Sequence, residues 1–272
     1  MKKLFPLILE NTLIADNIFK LVLEDNFPQE EFKPGKFLHV KCSKGIDPLL
    51  RRPMSICDIS DDESRLTVIY RKEGHGTSLL SEFKAGEHLD ILAPLGNHFE
   101  INFRVGENVE IGVPLHAPGV VLLVGGGIGV PPLYYLGRKL KAMNFKIISI
   151  LGFNSKKDIF YEAEFSNLGK TYISTVDGTY GEKGFVTDVL KQIADTDYDL
   201  LYSCGPKAML KALQLNVKAD KAAYMSLEER MGCGVGACLA CVCNYAEDFK
   251  RDKAYSRVCT EGPVYKLHEI AL

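Results

Sequence analysis

The pattern of hydrophobic and polar positions changes character twice along the chain. Up to about Phe99, short apolar or alternating runs are separated by turn residues: Asn11-Thr12-Leu13-Ile14-Ala15, Ile18-Phe19-Lys20-Leu21-Val22-Leu23, Lys36-Phe37-Leu38-His39-Val40, Leu66-Thr67-Val68-Ile69-Tyr70 and His88-Leu89-Asp90-Ile91-Leu92. Such a succession predicts short strands of a barrel or sandwich, and an N-terminal antiparallel β-barrel is the expectation. Only residues 76–83 read as helix there. Lys2 and Lys3 before an apolar run imitate a signal peptide, but Pro6 and Glu10 cut the run short and no small-residue cleavage site follows, so the segment is predicted as the first strand.

After Gly119 apolar strands alternate with helical stretches. Residues 120–124 lead into 131–143, 146–153 into 158–167, 171–176 into 184–194, and 199–203 into 206–215. This alternation predicts parallel strands with crossover helices and a ligand crevice beyond the strand C-termini. Beyond about Ala222 regular periodicity fades, leaving a cysteine-rich loop and a short strand region at 257–267. The expected organisation is multidomain, β plus α/β. It comprises a β-barrel domain (1–100), a parallel-sheet nucleotide-binding domain (101–222) and a small C-terminal cysteine-rich module (223–272).

With 272 residues, 46% of them hydrophobic, the chain can fill two ordinary cores and a small appendage. The net charge of −2 comes from interspersed acidic and basic residues without a basic stripe, which argues against nucleic acid as a partner. Residues 111–137 contain no Asp, Glu, Lys or Arg. That is long enough to suggest a membrane span, but its glycines and prolines predict strand, loop and helix, and no membrane association is expected. Without an export signal the expected location is cytoplasmic, where clustered thiols serve as metal ligands or catalysts more often than as disulfides.

The cysteines of the C-terminal loop have a specific spacing. Gly232-Cys233-Gly234-Val235-Gly236-Ala237-Cys238-Leu239-Ala240-Cys241, with Cys259 further on, is C-x4-C-x2-C…C, the thiolate spacing of a plant-type [2Fe–2S] cluster. Three thiolates from one short loop must converge on two irons, and the glycines let the backbone wrap them. Structural zinc is the competing chemistry, but zinc sites usually draw two close pairs rather than three ligands from one loop and a remote fourth. The predicted metal ligands are Cys233, Cys238, Cys241 and Cys259. Cys243, two residues past Cys241, is an alternative ligand by spacing and is left free in this assignment.

Gly125-Gly126-Gly127-Ile128-Gly129-Val130-Pro131-Pro132 follows an apolar strand and opens a helix, so backbone N–H groups and the positive helix end can meet a phosphate. Pro131 and Pro132 suit a first helical turn. Pro132 stands where the usual dinucleotide fingerprint, counted from Gly127, has its third glycine. Ser203-Cys204-Gly205-Pro206 ends another strand at the same crevice, where Cys204 faces ligand or is a small buried residue. Arg51-Arg52-Pro53-Met54-Ser55-Ile56 precedes a predicted strand and offers a planar cation and a hydroxyl suited to a pyrophosphate. Gly74-His75-Gly76-Thr77-Ser78 either holds phosphate or caps a helix.

Taken together these segments resemble the ferredoxin–NADP reductase superfamily. Within it they are most similar to the electron-transfer subunits of NAD-dependent, heteromeric dihydroorotate dehydrogenases. The resemblance rests on Arg52-Pro53-Met54-Ser55-Ile56, the glycine turn, Asp177-Gly178-Thr179-Tyr180-Gly181-Glu182-Lys183-Gly184-Phe185-Val186-Thr187-Asp188 and residues 229–241. It implies FAD in the first domain, with Arg52 and Ser55 on the diphosphate and Pro53 and Met54 beside the ring system. Ile69, Tyr70 and Arg71 would contact FAD, and Gly76 and Thr77 would hold its phosphate side. The Leu95-Gly96-Asn97-His98-Phe99 turn would close that domain. NAD would dock on Gly125, Gly126, Gly127, Gly129 and Gly205, with its nicotinamide near Cys204. NADH rather than NADPH is expected on the resemblance, although Lys156 and Lys157 follow the second strand of the αβ region, where a cation can select a 2′-phosphate. Residues 100–118 match the family poorly and read as a longer interdomain segment.

A hydride donor delivers two electrons and a [2Fe–2S] cluster accepts one, so a flavin must stand between them. The resemblance implies electron flow through FAD and the cluster to FMN in a separate catalytic subunit, in a two-plus-two heterotetramer that oxidises dihydroorotate to orotate. A related subunit serving ferredoxin, a sulfur species or a hydrogenase-type partner is the nearest alternative. A zinc-stabilised, non-redox binding module is the alternative of another class.

Overall fold

The computed structural model describes residues 1–101, 119–193, 197–218, 221–249 and 252–272. The expected interdomain segment at 102–118 therefore lies outside the described residues.

In the N-terminal part, β1 (Lys2–Leu4), β2 (Leu7–Ala15), β3 (Ile18–Glu24), β4 (Phe37–Val40), β5 (Arg52–Ser55), β6 (Asp58–Ile59), β7 (Arg65–Arg71), helix α1 (His75–Leu80) and β8 (Ile91–Leu95) follow in order. They form two four-stranded sheets, β1-β8-β4-β5 and β2-β3-β7-β6, with every pairing antiparallel. Alternation along the strands sends Ile8, Leu21 and Leu23 of one sheet and Leu38, Val40, Ile91 and Ala93 of the other into one shared core. Pro6 splits the predicted first strand in two. Residues 52–55, expected to precede a strand, are themselves strand β5. Pro53 is tolerated there because β5 is the edge of its sheet.

The second part contains β9 (Val120–Gly126), α2 (Pro131–Ala142), β10 (Lys146–Phe153), α3 (Glu162–Ser166), β11 (Lys170–Thr175), β12 (Glu182–Lys183), α4 (Val186–Gln192), β13 (Leu200–Cys204), α5 (Lys207–Asn216) and β14 (Ala222–Ser226). They are followed by β15 (Val242–Asn244), β16 (Tyr255–Arg257) and β17 (Val264–Lys266). The strand order is β12-β11-β10-β9-β13-β14-β17, and all neighbours pair in parallel except β14 and β17. Val121–Val124 of β9 are buried on both faces, as a central parallel strand requires. Helix α2 packs through Leu133, Leu136, Gly137 and Leu140, a helical stripe, with both prolines in its first turn. The helix expected over 158–167 is shortened to α3. Asp158 is spent accepting from the N–H and Oγ of Ser155, and Tyr161 adopts a left-handed φ of 62°.

The sheet does not end near Ala222. β14 continues it as a parallel strand, and β17 adds antiparallel to β14, so the C-terminal segment completes the sheet rather than standing apart. One hydrophobic cluster contains Phe37 and Leu95 of the N-terminal part, Val124 and Leu201 of the sheet, and Cys241, Val258 and Tyr265 of the C-terminal segment. Asn97 ties the N-terminal part to the C-terminal segment. Its Nδ2 donates to the carbonyls of Glu261 (2.9 Å) and Val264 (2.7 Å), and its Oδ1 accepts from the Val264 N–H (2.8 Å). Among the described residues no helix is long and apolar enough to cross a membrane.

Candidate functional site

The chain reverses its strand order between β9 and β13, which places a crevice at their C-terminal ends. The N-terminal sheets close over this crevice and leave a cavity of about 850 Å³, large enough for an organic cofactor. β5 supplies Arg52, Pro53, Met54 and Ser55 to its wall, β7 supplies Ile69, Tyr70 and Arg71, α1 supplies Thr77, and the β13–α5 turn supplies Gly205 and Pro206. These predicted residues, scattered over the sequence, meet at one place. The two arginines of the Arg-Arg-Pro motif separate in role. Arg51 is tied to Asp90 by its Nη2 (2.7 Å to Oδ1) and Nη1 (2.9 Å to the carbonyl), while Arg52 faces the cavity. Gly76 is behind the wall, and a Cβ there would be 3.0 Å from Arg52 Nε, so the glycine lets the guanidinium lie across the helix start. Thr77 Oγ1 accepts from the N–H groups of Glu73 (3.0 Å) and Gly74 (3.1 Å), which makes it a cap as well as a wall residue.

The glycine turn after β9 has a packing reason. A Cβ on Gly129 would lie 2.5 Å from the carbonyl carbon and oxygen of Cys204 and from Cα of Gly205, and one on Gly126 would lie 2.6 Å from Met209 Sδ. Gly125 packs against Val130 in the same way. Two strand-end turns can approach this closely only as bare backbone. Gly127 has φ +51° and looks toward Arg71, whose Nη2 would be 3.3 Å from a Cβ there. Cys204 lies behind the cavity wall rather than on it. It is fully buried, burial pushes its thiol well up, and Gly205 and Pro206 present the surface in its place.

Sequence reasoning missed Glu228, which follows β14 and opens onto the cavity. Its side chain is reached by solvent through the cavity, while the protein packed around it raises its carboxyl above the usual range, an effect Arg71 partly offsets. An isolated Glu in a polar stretch carries no sequence signal of such a place. Lys156 and Lys157 are both engaged: Lys156 lies over the Tyr180 ring, and Lys157 pairs with Asp16 at 2.9 Å.

The wall residues Arg230 and Met231 run directly into the cysteine loop. Gly234 and Gly236 take φ of 71° and 81°, which turns the chain around Cys233. The N–H groups of Val235 and Cys238 both donate to Cys233 Sγ at 3.4 Å, and the Cys233 N–H donates to Cys238 Sγ at 3.4 Å. Burial works against the Cys233 thiolate, but these backbone donors outweigh it and bring the thiol down to about 6. Cys259 is pushed up to about 11 by burial and by the neighbouring Cys241 thiol. The four thiols thus stand as two pairs, and among the described residues no group of three or more His, Cys, Asp or Glu side chains is already set around a single metal ion. A donor set of four thiols, with N–H groups aimed at sulfur, fits a two-iron cluster. Cys243 is differently engaged: buried on β15, its thiol donates weakly to the Ser256 carbonyl (3.8 Å) and Tyr265 Oη (3.9 Å) and is pushed up to about 11 by burial. All eight cysteines are free thiols.

Comparison with known proteins agrees with this geometry. Residues 228–271 match the iron–sulfur cluster binding domain of dihydroorotate dehydrogenase B, and residues 123–215 match the oxidoreductase NAD-binding domain. The chain is 48% identical over 272 residues, covering all of both proteins, to the electron transfer subunits of dihydroorotate dehydrogenase B (NAD(+)) from Bacillus cereus (strain G9842) and Bacillus anthracis (strain CDC 684 / NRRL 3495). Among solved structures, a chain of the NADH-dependent reduced ferredoxin-NADP oxidoreductase superposes with a TM-score of 0.82 at 26% identity, over 98% of this chain and 90% of that one. Phthalate dioxygenase reductase shares the fold, with a TM-score of 0.61 at 16% identity over 95% of this chain and 94% of that one. On its full-length identity with these subunits, the chain belongs to the family of electron transfer subunits of NAD(+)-dependent dihydroorotate dehydrogenase B.

Proposed function

We propose that this chain carries electrons between a catalytic subunit that oxidises dihydroorotate with bound FMN and the NAD+ that finally accepts them. The observation that carries this reading is the direct continuity of the cavity wall with the thiol loop. Met231 lines the cavity and Cys233 follows two residues later, so at about 3.8 Å per residue their Cα atoms are at most ~7.6 Å apart. FAD in the cavity supplies the exchange between hydride and single electrons, and a [2Fe–2S] cluster on the loop supplies the one-electron step.

The residues of the chain position and shield these groups. Arg52 and Ser55 are assigned to the flavin diphosphate, with Gly76 letting Arg52 lie flat and Thr77 fixing the helix start. Pro53, Met54, Ile69, Tyr70 and Arg71 form the walls beside the ring. The turn of Gly125, Gly126, Gly127 and Gly129, with Gly205, takes the dinucleotide, and Cys204 backs the nicotinamide end from beneath. Cys233, Cys238, Cys241 and Cys259 hold the iron. The two N-terminal sheets are read as halves of one antiparallel barrel because they enclose one core. The flavin, nucleotide and iron–sulfur regions are assigned to residues 1–100, 101–222 and 223–272, with β14 and β17 belonging to the central sheet.

The test is co-expression with an FMN-containing dihydroorotate dehydrogenase subunit. A stable complex, with two copies of each chain, that makes orotate with NAD+ under anaerobic conditions supports the assignment, provided neither subunit alone links the two. Failure to bind that subunit, with NADH-driven reduction of ferredoxin instead, would favour the related shuttle.

A further inference from the structure

His39 stands on β4 with no exposed surface, and neither of its ring nitrogens has a hydrogen-bond partner among the described residues. A neutral imidazole carries one N–H and one acceptor nitrogen. Leaving either unpaired in the interior costs about 1–3 kcal/mol, so a histidine kept in this place has partners that arrive with a bound group. Protonation is no remedy, because Arg51 and Arg52 add their positive charge to the burial that already disfavours it.

The position of the ring says which group. In the antiparallel register His39 faces Pro53 on β5 and Leu92 on β8, so it shares a sheet face with Pro53, Phe37 and Ser55, all of which line the cavity. Its other side lies against the thiol loop. A Cβ on Gly234 would be 2.7 Å from His39 Nδ1 and 2.9 Å from Cε1, so the residue after Cys233 must be glycine for the ring to fit. His39 is thus an unpartnered polar side chain wedged between the cavity wall and the turn that carries Cys233.

We propose that His39 is a positioning residue for the iron–sulfur centre, its imidazole N–H donating a hydrogen bond to a sulfur held by the Cys233–Cys238 turn. The inference rests on the reading of the four thiols as a [2Fe–2S] site. Hydrogen bonds to cluster sulfurs are among the factors that set its potential. Reduction adds negative charge at sulfur, so a donor there favours the reduced state. The same bond fastens the loop to the wall of the flavin cavity.

The test uses the full chain, reconstituted anaerobically, with iron, acid-labile sulfide and flavin measured on every sample. Protein labelled with nitrogen-15 in the histidine rings is reduced with dithionite and studied by pulsed electron paramagnetic resonance. A histidine nitrogen coupled to the reduced cluster, lost in His39→Gln, is the expected result. In a redox titration, His39→Leu is expected to lower the reduced-to-oxidised ratio of the cluster about tenfold at fixed poise, about 59 mV for a one-electron couple. Glutamine, which keeps a donor, should recover most of that ratio, and the flavin potential should stay in place. Full iron content with no histidine coupling in the wild-type protein overturns the proposal even if the leucine variant fails to fold. So does an unshifted cluster in a fully loaded leucine variant. Absence of iron and sulfide from the wild-type protein would instead refute the cluster reading itself.

Discussion

Replacing Gly129 with alanine should disable the nucleotide side of the protein while leaving the flavin and cluster regions in place. The added Cβ would lie 2.5 Å from three main-chain atoms of Cys204 and Gly205. No side-chain rotation relieves a clash with backbone, so the β9–α2 turn and the β13 end must move apart. Overpacking of this kind costs about 1–3 kcal/mol, and the stiffer unfolded chain returns about 0.4–1 kcal/mol. With both terms at the middle of their ranges the net cost is about 1.3 kcal/mol, roughly a tenfold loss in the population of the correctly packed turn. Because Gly205 lines the cavity, the displacement reaches the place assigned to the nicotinamide, where a 1 Å error can cost about 100-fold in rate. Stopped-flow reduction of the bound flavin by NADH measures this directly, with Gly74→Ala as the control because nothing lies within 4 Å of a Cβ there. Wild-type NADH affinity and reduction rate in Gly129→Ala would refute the argument that bare backbone is required at this crossing.

Further consequences can be measured separately. Cys233→Ser, Cys238→Ser, Cys241→Ser and Cys259→Ser should each lose most iron while retaining flavin, whereas Cys243→Ala, whose thiol is engaged by Ser256 and Tyr265, should keep its iron; metal and flavin analysis of the purified variants decides. Arg138→Ala removes a fork from α2 to Asp58 (2.8 Å to both carboxylate oxygens) and Asp61 (2.7 Å) and strands the half-buried Asp58, so urea unfolding should show a loss of about 1.5–3 kcal/mol. In the metal-free chain His39, with its folded pKa lowered to about 4 by burial and by Arg51 and Arg52, gives a pH dependence of definite sign. Below the unfolded value near 6.5 the unfolded chain binds a proton that the folded chain refuses. Its stabilising contribution is therefore complete above about pH 6.5 and is lost as the pH falls toward 4, by up to ~3 kcal/mol. The urea midpoint of the metal-free protein between pH 7 and pH 5 should fall more in the wild type than in His39→Gln.

Much of this architecture was legible in the sequence because the signals are local. Alternation marked β2, β3, β4 and β7, strand-to-helix punctuation marked β9 through α5, and the cysteine spacing stands within one loop. The misreadings share a non-local cause. Residues 51–56 read as the run before a strand because nothing local shows that β5 is an edge that tolerates Pro53. β17 joins the sheet only through its pairing with β14, some forty residues earlier in the chain, so the C-terminal segment looked more independent than it is. Glu228 and His39 have unremarkable sequence neighbours, and their places follow from the closure of two sheets and a loop around one cavity. Cys204 shows the opposite limit: its strand-end position was correctly read, but which face of the strand it takes was settled by the close crossing of Gly129 over the chain at Cys204–Gly205.

The central claim is that one chain joins a flavin cavity to an iron–sulfur loop. The most direct test is an anaerobic visible spectrum of the purified protein before and after NADH, with iron, zinc and flavin measured on the same sample. The account predicts yellow-brown protein with FAD and about two irons per chain, bleached by NADH. Colourless protein carrying zinc and no flavin would contradict it.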